Sequence, residues 1–331
     1  MRTRPEGLPD AVLLGALSEG WDLRAVALEY CTVGFGSHHW CATEAGDRRW
    51  FVTGDDLEAK RNSAGESLET SFARLRMALT TARAVRDAGA AFVVAPIPSR
   101  DGAVVRRVST RYALALYPYV EGESRSGEYE ASPDRGAVLD LIVKLHASPA
   151  ELTRDTSVDD FMVTARDALM RALRDLSGPW DQGPYSDRAR VLLARHAGEI
   201  TRLLDRYDQL AEEARGRPDR MVLTHGEPHI ENVIFTTAGP MLIDWDTTMI
   251  APPERDLWMV ESGDGTVSAT YTKATGRPVL PSMLELYRLR WELSEVAIYT
   301  ALFRQPHTDD ADTRESWKNL NHYVGVAPNE S

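Results

Sequence analysis

The hydrophobic period of the chain changes near Gly122, and that change limits the possible folds more than any other feature. Before it come three β-rich segments, AVALEYCTVGFGS, HHWCATEA and RRWFVTGDD, with glycines at their turns. A helix over residues 9–22 is expected ahead of them. Behind them, SLETSFARLRMALTTARAVRDAG has the spacing of a helix that stops at Gly89. Two further strands, AFVVAPIPS and RYALALYPYVEG, are expected on either side of the turn SRDG. After Gly122 the stretch ESRSGEYEASPDRG is loop-like, and helical patterns dominate from about 134 to 216. Short β-like pieces, MVLTH, ENVIF and PMLID, interrupt them before helices resume, notably PSMLELYRLRWELSEVAIYTALFR. The polar tail after 306 reads as partly mobile. The pattern predicts an α+β, two-lobe plan with a β-rich N-lobe (1–117), a connecting stretch (118–122) and a mainly helical C-lobe (123–331). A ligand belongs in the cleft between the lobes.

Bulk properties narrow the partners. A chain of 331 residues can bury a large core, as one large or two medium domains. Its net charge of −12 argues against nucleic acid or an anionic membrane and suits either a cationic ligand or simple solubility. No apolar run approaches the roughly 20 residues of a membrane span. The early stretch AVLLGAL follows Glu6 and Asp10 and lacks an A-x-A site, so it reads as an amphipathic helix rather than a signal peptide. Cys31 and Cys41 are too few for a disulfide framework or a four-cysteine zinc site. They read as two reduced thiols in a cytoplasmic protein rather than a facing pair across a hairpin.

The chemistry concentrates in LTHGEPHIENVIF (223–235) and IDWD (243–246). A zinc-protease helix needs H-E-x-x-H, but Glu227 stands in the wrong place between His225 and His229, and Gly226 and Pro228 disfavour a helix. A zinc deaminase needs P-C-x-x-C after its H-x-E, and no cysteine follows Cys41. A phosphotransfer loop needs a carboxylate for the acceptor hydroxyl, an amide oxygen for magnesium and a second carboxylate on that metal. Glu227, Asn232 and Asp244 supply these types in that order.

In this pattern the sequence resembles the aminoglycoside phosphotransferases and related antibiotic kinases, which share the protein-kinase fold. Their H-G-D-x-x-x-x-N followed by an apolar strand ending in I-D stands here as His225-Gly226-Glu227 to Asn232, then Ile243-Asp244. The long helical insertion and terminal helices most resemble the spectinomycin-type enzymes. The resemblance implies Glu227 as catalytic carboxylate, Asn232 and Asp244 as magnesium ligands, and His225 as support for the loop. It implies ATP, or else GTP, as donor. Gly34, Gly36 and Ser37 would cover the phosphates, although a plain hairpin turn accounts for them equally. The connecting stretch 118–122 would be the hinge, where Pro118, a carbonyl without an N–H, and Val120, which keeps its donor, would meet the adenine edge. Ile234 and Ile243 would sandwich the base or simply pack. Asp256 either buttresses the loop or is an acid favoured in the first turn of a helix.

Two departures stand out. The family's catalytic aspartate is Glu227 here, one methylene longer. The third-strand lysine that grips the nucleotide phosphates and pairs with a helix glutamate is replaced by Thr53. Arg48, Arg49, Lys60, Arg61, His38 and His39 are the nearby cations, with Glu66 and Glu69 as partner candidates. The departures leave room for a weak or inert kinase-like protein that sequesters its ligand. The acceptor is expected to be a compact cationic molecule with a hydroxyl, spectinomycin first by resemblance, bound by a monomer or homodimer. On the last long helix, Glu292 lies in a stripe with Leu289, Val296, Tyr299 and Phe303, and Glu295 in the next one with Trp291 and Ile298. Either acid could meet an ammonium group, with Trp291 and Asp246 beside them; Glu261 and Asp264 are weaker candidates.

Overall fold

A computed structural model of the chain describes residues 1–34, 36–125 and 133–325. Helix α1 (Asp10–Trp21) leads into strands β1 (Ala25–Cys31), β2 (Ser37–Glu44) and β3 (Arg49–Asp56), then helix α2 (Leu68–Asp87). Strands β4 (Arg106–Arg107) and β5 (Tyr112–Pro118) complete an antiparallel sheet of order β1-β2-β3-β5-β4. Alternation along β5 shows how that sheet is held. Tyr112, Leu114 and Leu116 face one way and join Leu13 and Leu17 of α1. Ala113, Ala115 and Tyr117 face the other way and join Leu75, Leu79 and Val85 of α2. This is the period-2 signature of a sheet covered on both faces. Helix α2 begins where the Ser67 hydroxyl accepts from the Thr70 N–H at 3.0 Å, and it ends before Gly89, whose φ of 102° suits glycine.

The expected strand AFVVAPIPS does not form. Pro96 and Pro98 lack the N–H groups that a ladder needs, and only Val93 makes a bridge, to Leu242. The segment ties the two halves instead: Val94 N–H donates to the Leu242 carbonyl at 3.0 Å, and Leu242 N–H to that of Phe92 at 2.8 Å. Of the polar stretch 123–136, the part over 126–132 lies outside the described residues.

Strand β6 (Glu123–Ser124) is followed by α3 (Pro133–His146), α4 (Arg166–Arg174) and the 30-residue α5 (Ser186–Arg215). Strands β7 (Val222–Thr224), β8 (Val233–Thr236), β9 (Gly239–Leu242) and β10 (Met249–Ala251) then carry the loops of interest. Helices α6 (Glu254–Leu257), α7 (Thr266–Thr275), α8 (Pro281–Phe303) and α9 (Ala311–Gly325) close the chain. Within the tail after 306, residues 311–325 form a helix: Ser316, Leu320 and Val324 bury one face of α9, with Leu320 and Val324 packed in a helical core with α5 and α8. Residues 326–331 lie outside the described residues. Cys31 and Cys41 are free thiols, opposite His39 and Glu29 across β1 and β2 rather than each other. No helix among the described residues is long and apolar enough to cross a membrane.

Candidate active site

Strand β7 pairs with β10 and delivers the chain into a loop whose backbone is gripped from beneath. The Asp256 carboxylate, wholly buried, accepts from the N–H of His225 at 2.9 Å, from that of Gly226 at 2.6 Å and from His146 Nε2 at 3.0 Å. Burial pushes this carboxyl up, but the hydrogen bond and charge of His146 outweigh that and hold it below its ordinary range. Asp256 therefore buttresses the loop. Arg255 lies alongside, donating to the Thr224 hydroxyl at 2.8 Å and to the Thr247 carbonyl at 2.9 Å. Gly226 has a φ of 106°, and a Cβ there would strike the Arg255 guanidinium. Only glycine satisfies both conditions.

His225 is fully buried and clasps both segments of the site. Its Nε2 lies 2.8 Å from the Ile243 carbonyl, so it must carry the proton, and Nδ1 accepts from the Glu227 N–H at 3.2 Å. Burial pushes its pKa down to about 4, which keeps the ring neutral. Across this clasp Asp244 takes a φ of 64°, a left-handed conformation rare for a side-chain-bearing residue. The backbone is strained there.

Glu227, Asn232 and Asp244 come together. The Asn232 amide donates to the Glu227 carbonyl at 2.9 Å and also lies 3.1 Å from His229 Nε2. Burial and the neighbouring Asp246 push the Glu227 carboxyl up to about 7. Among the described residues no side chain donates to that carboxylate. Asp244 is exposed at its surface, yet protein is packed densely around it. Burial, Asp246 and Glu227 push its carboxyl well above the ordinary range.

Arg255 and Lys60 both act on Glu227, and Lys60 answers the aspartates beside it as well. Lys60 lies between strand and helix, 3.2 Å from Asp55 and paired with Asp246. Burial opposes its charge, but Asp246, Asp55 and Asp244 outweigh burial and hold the ammonium well above its usual value. The other nearby cations are engaged elsewhere: Arg48 over Trp50, Arg49 with Glu121 at 3.4 Å, and Arg61 with Glu58 at 2.9 Å. His38 bonds Tyr30 at 3.0 Å, and His39 the Val33 carbonyl at 2.8 Å. Glu66 pairs with Arg74 of α2 at 2.7 Å and Glu69 with Arg107 of β4 at 2.6 Å, so neither meets a cation of β3. Thr53 makes only a 3.4 Å bond to Asp55.

The remaining expectations divide. Gly34 and Gly36 have positive φ in the β1–β2 hairpin, and Ser37 donates to Asp55 at 2.8 Å. Pro118 ends β5 exposed, while Val120 and Ile243 pack against the main core and Ile234 sits on β8 opposite Met241. On α8, Glu295 lies close enough to Glu227 for its charge to act there, and it bonds Tyr299. Glu292 instead lines a small crevice with Glu199, Leu203 and Tyr323. Trp291 donates to the Tyr323 hydroxyl at 3.1 Å. Asp264 accepts from the Thr266 N–H at 2.9 Å and Glu261 from the Ser262 N–H at 3.0 Å, so both are occupied in their own loop. Sequence reading missed Tyr323 and Asn319 of α9. Asn319 donates to the Tyr299 hydroxyl at 2.9 Å, and Tyr323 lies within reach of the charges of Glu295, Glu292 and Glu227. Their spacing of four along a polar segment was the available signal.

A cleft with this loop, a strained aspartate and an acid-held lysine has the parts of a two-lobed phosphotransferase. The phosphotransferase enzyme family profile matches residues 42–288, three quarters of the chain. Protein StrN of Streptomyces griseus is 34% identical over 248 residues, covering 72% of this chain and 73% of that protein. The chain belongs to the aminoglycoside phosphotransferase family, and it is an O-phosphotransferase. The fold agrees. Spectinomycin phosphotransferase APH(9)-Ia, solved with ADP and spectinomycin, superposes with a TM-score of 0.72 at 16% identity, over 95% of this chain and 96% of that one. Aminoglycoside phosphotransferase APH(4)-Ia, solved with AMP-PNP and hygromycin B, gives 0.54 at 12% identity, over 92% and 96%. Amicoumacin kinase hAmiN, solved with AMP-PNP and Ca2+, gives 0.55 at 14% identity, over 96% and 92%.

Proposed function

We propose that this protein transfers the γ-phosphate of ATP to a hydroxyl of a cationic small molecule, with Glu227 orienting and accepting the proton of that hydroxyl. The observation that carries the reading is the Glu227 carboxylate. It lacks a side-chain donor among the described residues, is pushed up to about 7 by burial and Asp246, and lies within reach of the charges of Arg255, Lys60 and Glu295. A base near neutrality is matched to its task at physiological pH. Transfer is direct, without a phosphoenzyme.

The donor set fits magnesium. Asp244 and Asp246 offer hard carboxylate oxygens and Asn232 an amide oxygen, and the clustered acids hold more negative charge than Lys60 offsets. The described residues contain no trio of His, Cys, Asp or Glu placed to hold a metal alone. Nucleotide magnesium does not require one, since phosphates and water complete its shell. When bound it would neutralise charge on the phosphates.

Acceptor charge follows from the wall. Glu295 is buried with a tyrosine hydroxyl as partner, so an ammonium group would find an uncompensated carboxylate there. Spectinomycin and hygromycin B, the ligands of structural neighbours, are the first compounds to test. Incubation with Mg-ATP and a panel of hydroxylated amines, followed by 31P NMR, should reveal a phosphomonoester of one of them. Tight binding of such an amine with no ATP consumption would replace this reading with sequestration.

A further inference from the structure

The family's phosphate-gripping lysine is missing at Thr53, and the structure offers a replacement from an unexpected direction. Asp55 sits on β3 two residues beyond Thr53, buried, where the hairpin of Gly34 and Gly36 comes down onto the strand. One of its oxygens accepts from Ser37, the first residue after that hairpin, at 2.8 Å, and the same oxygen lies 3.2 Å from the Lys60 ammonium. The loop holding Lys60 is fixed at its backbone. Its N–H donates to the Asp56 carbonyl at 3.0 Å, and its own carbonyl accepts from Arg74 of α2. Arg74 is in turn clamped by Glu66, whose second oxygen accepts from the Asn62 N–H.

We infer that Lys60, held by Asp55, is the phosphate-binding cation of this protein, and that the pair is reversed relative to the family arrangement, with the acid on the strand and the cation on the following loop. An acid just ahead of α2 keeps a part in it at one remove, since Glu66 orders Arg74 and Arg74 orders the Lys60 carbonyl. Of the ammonium's two carboxylates, Asp246 is the one to be exchanged for a phosphate oxygen, and Asp55 the one that stays. An ammonium on a flexible stem suits that exchange as a point charge. This deepens the kinase reading above and rests on it.

Calorimetric titration with ATP and adenosine, in magnesium and in EDTA, separates the outcomes. Lys60→Met should weaken ATP at least tenfold, leave adenosine unchanged, and do so in both buffers. Lys60→Arg, which keeps the charge, should stay within a few fold of wild type for both ligands, and Asp55→Asn should show a smaller loss confined to ATP. An unchanged ratio of ATP to adenosine affinity in Lys60→Met overturns the inference. So does a loss that disappears in EDTA, because Lys60 would then act only through the acids beside it. If Lys60→Met does not fold, the ATP-to-adenosine ratio of Asp55→Asn decides in its place. Absence of nucleotide binding in wild type would instead sink the kinase reading itself, and this inference with it.

Discussion

The loop proposed to carry the chemistry and the wall proposed to receive the acceptor lie within reach of each other's charges, yet they are built on opposite electrostatic rules. In the support beneath the loop the buried charged groups are hydrogen-bonded: Asp256 receives three donors, and Arg255 spans a hydroxyl and a carbonyl. In the wall, Glu295 is buried against a tyrosine hydroxyl and Glu292 lines a crevice with Arg288 as its one recorded cationic influence. A satisfied network rigidifies, and a partly satisfied one is energetically exposed until something completes it. One region is finished in the free protein; the other is completed by what binds.

The sharpest way to break the comparison is at Asp256. Replacing it with alanine leaves two buried backbone N–H groups and His146 without their acceptor, so a loss on the order of 3–5 kcal/mol is expected. Urea unfolding of Asp256→Ala measures it, and a change below about 1 kcal/mol would mean the loop is not held from beneath.

Next in size is Glu227→Gln, which keeps shape and removes the base. Turnover should fall by about 10²–10⁴ while the ATP affinity stays nearly that of wild type. Wild-type-like kcat would remove Glu227 from the chemistry.

The loop also predicts a pH dependence. The folded state holds the His225 pKa near 4, below the 6.5 of a free histidine, because it buries the neutral ring. The unfolded chain therefore binds more protons between these values. Stability is fully present above about 6.5 and drains away as the pH falls toward 4, by about 3 kcal/mol from this group. His225→Gln should flatten the denaturation midpoint across that window; an unchanged slope would assign it to other groups.

What could be read in advance follows the same divide. Glu227, Asn232 and Asp244 were legible because phosphotransfer fixes their types and order along a short stretch ending apolar strands. The alternation of Ala113, Leu114, Ala115 and Leu116 made β5 legible as well. Lys60 was only one cation among six, since a loop residue's reach depends on where Arg74 pins its carbonyl. Helical period put Glu292 and Glu295 on adjacent stripes without saying which faced the cleft. That was decided by the packing of α9, whose polar sequence gave little sign of a fixed helix. The family profile ends at residue 288, so both acids, Asn319 and Tyr323 lie past the matched region.

The smallest expected effect is at Glu295, and its signs are opposite for binding and stability. Burial raises its carboxyl pKa, so the fold disfavours the charged form, and stability drains as the pH rises through that raised value. Glu295→Gln removes the charge but keeps a hydrogen-bonding partner for Tyr299. Stability near neutrality should hold or rise slightly, whereas the KM for a cationic acceptor should rise about tenfold, roughly 1.4 kcal/mol, with the KM for ATP unchanged. The same substitution made at Glu292 should shift neither constant by more than about twofold, because its crevice faces Glu199 and Leu203. Equal effects at the two positions would mean the wall has no preferred face, and the contrast between a finished loop and a waiting wall would fail at its weaker end.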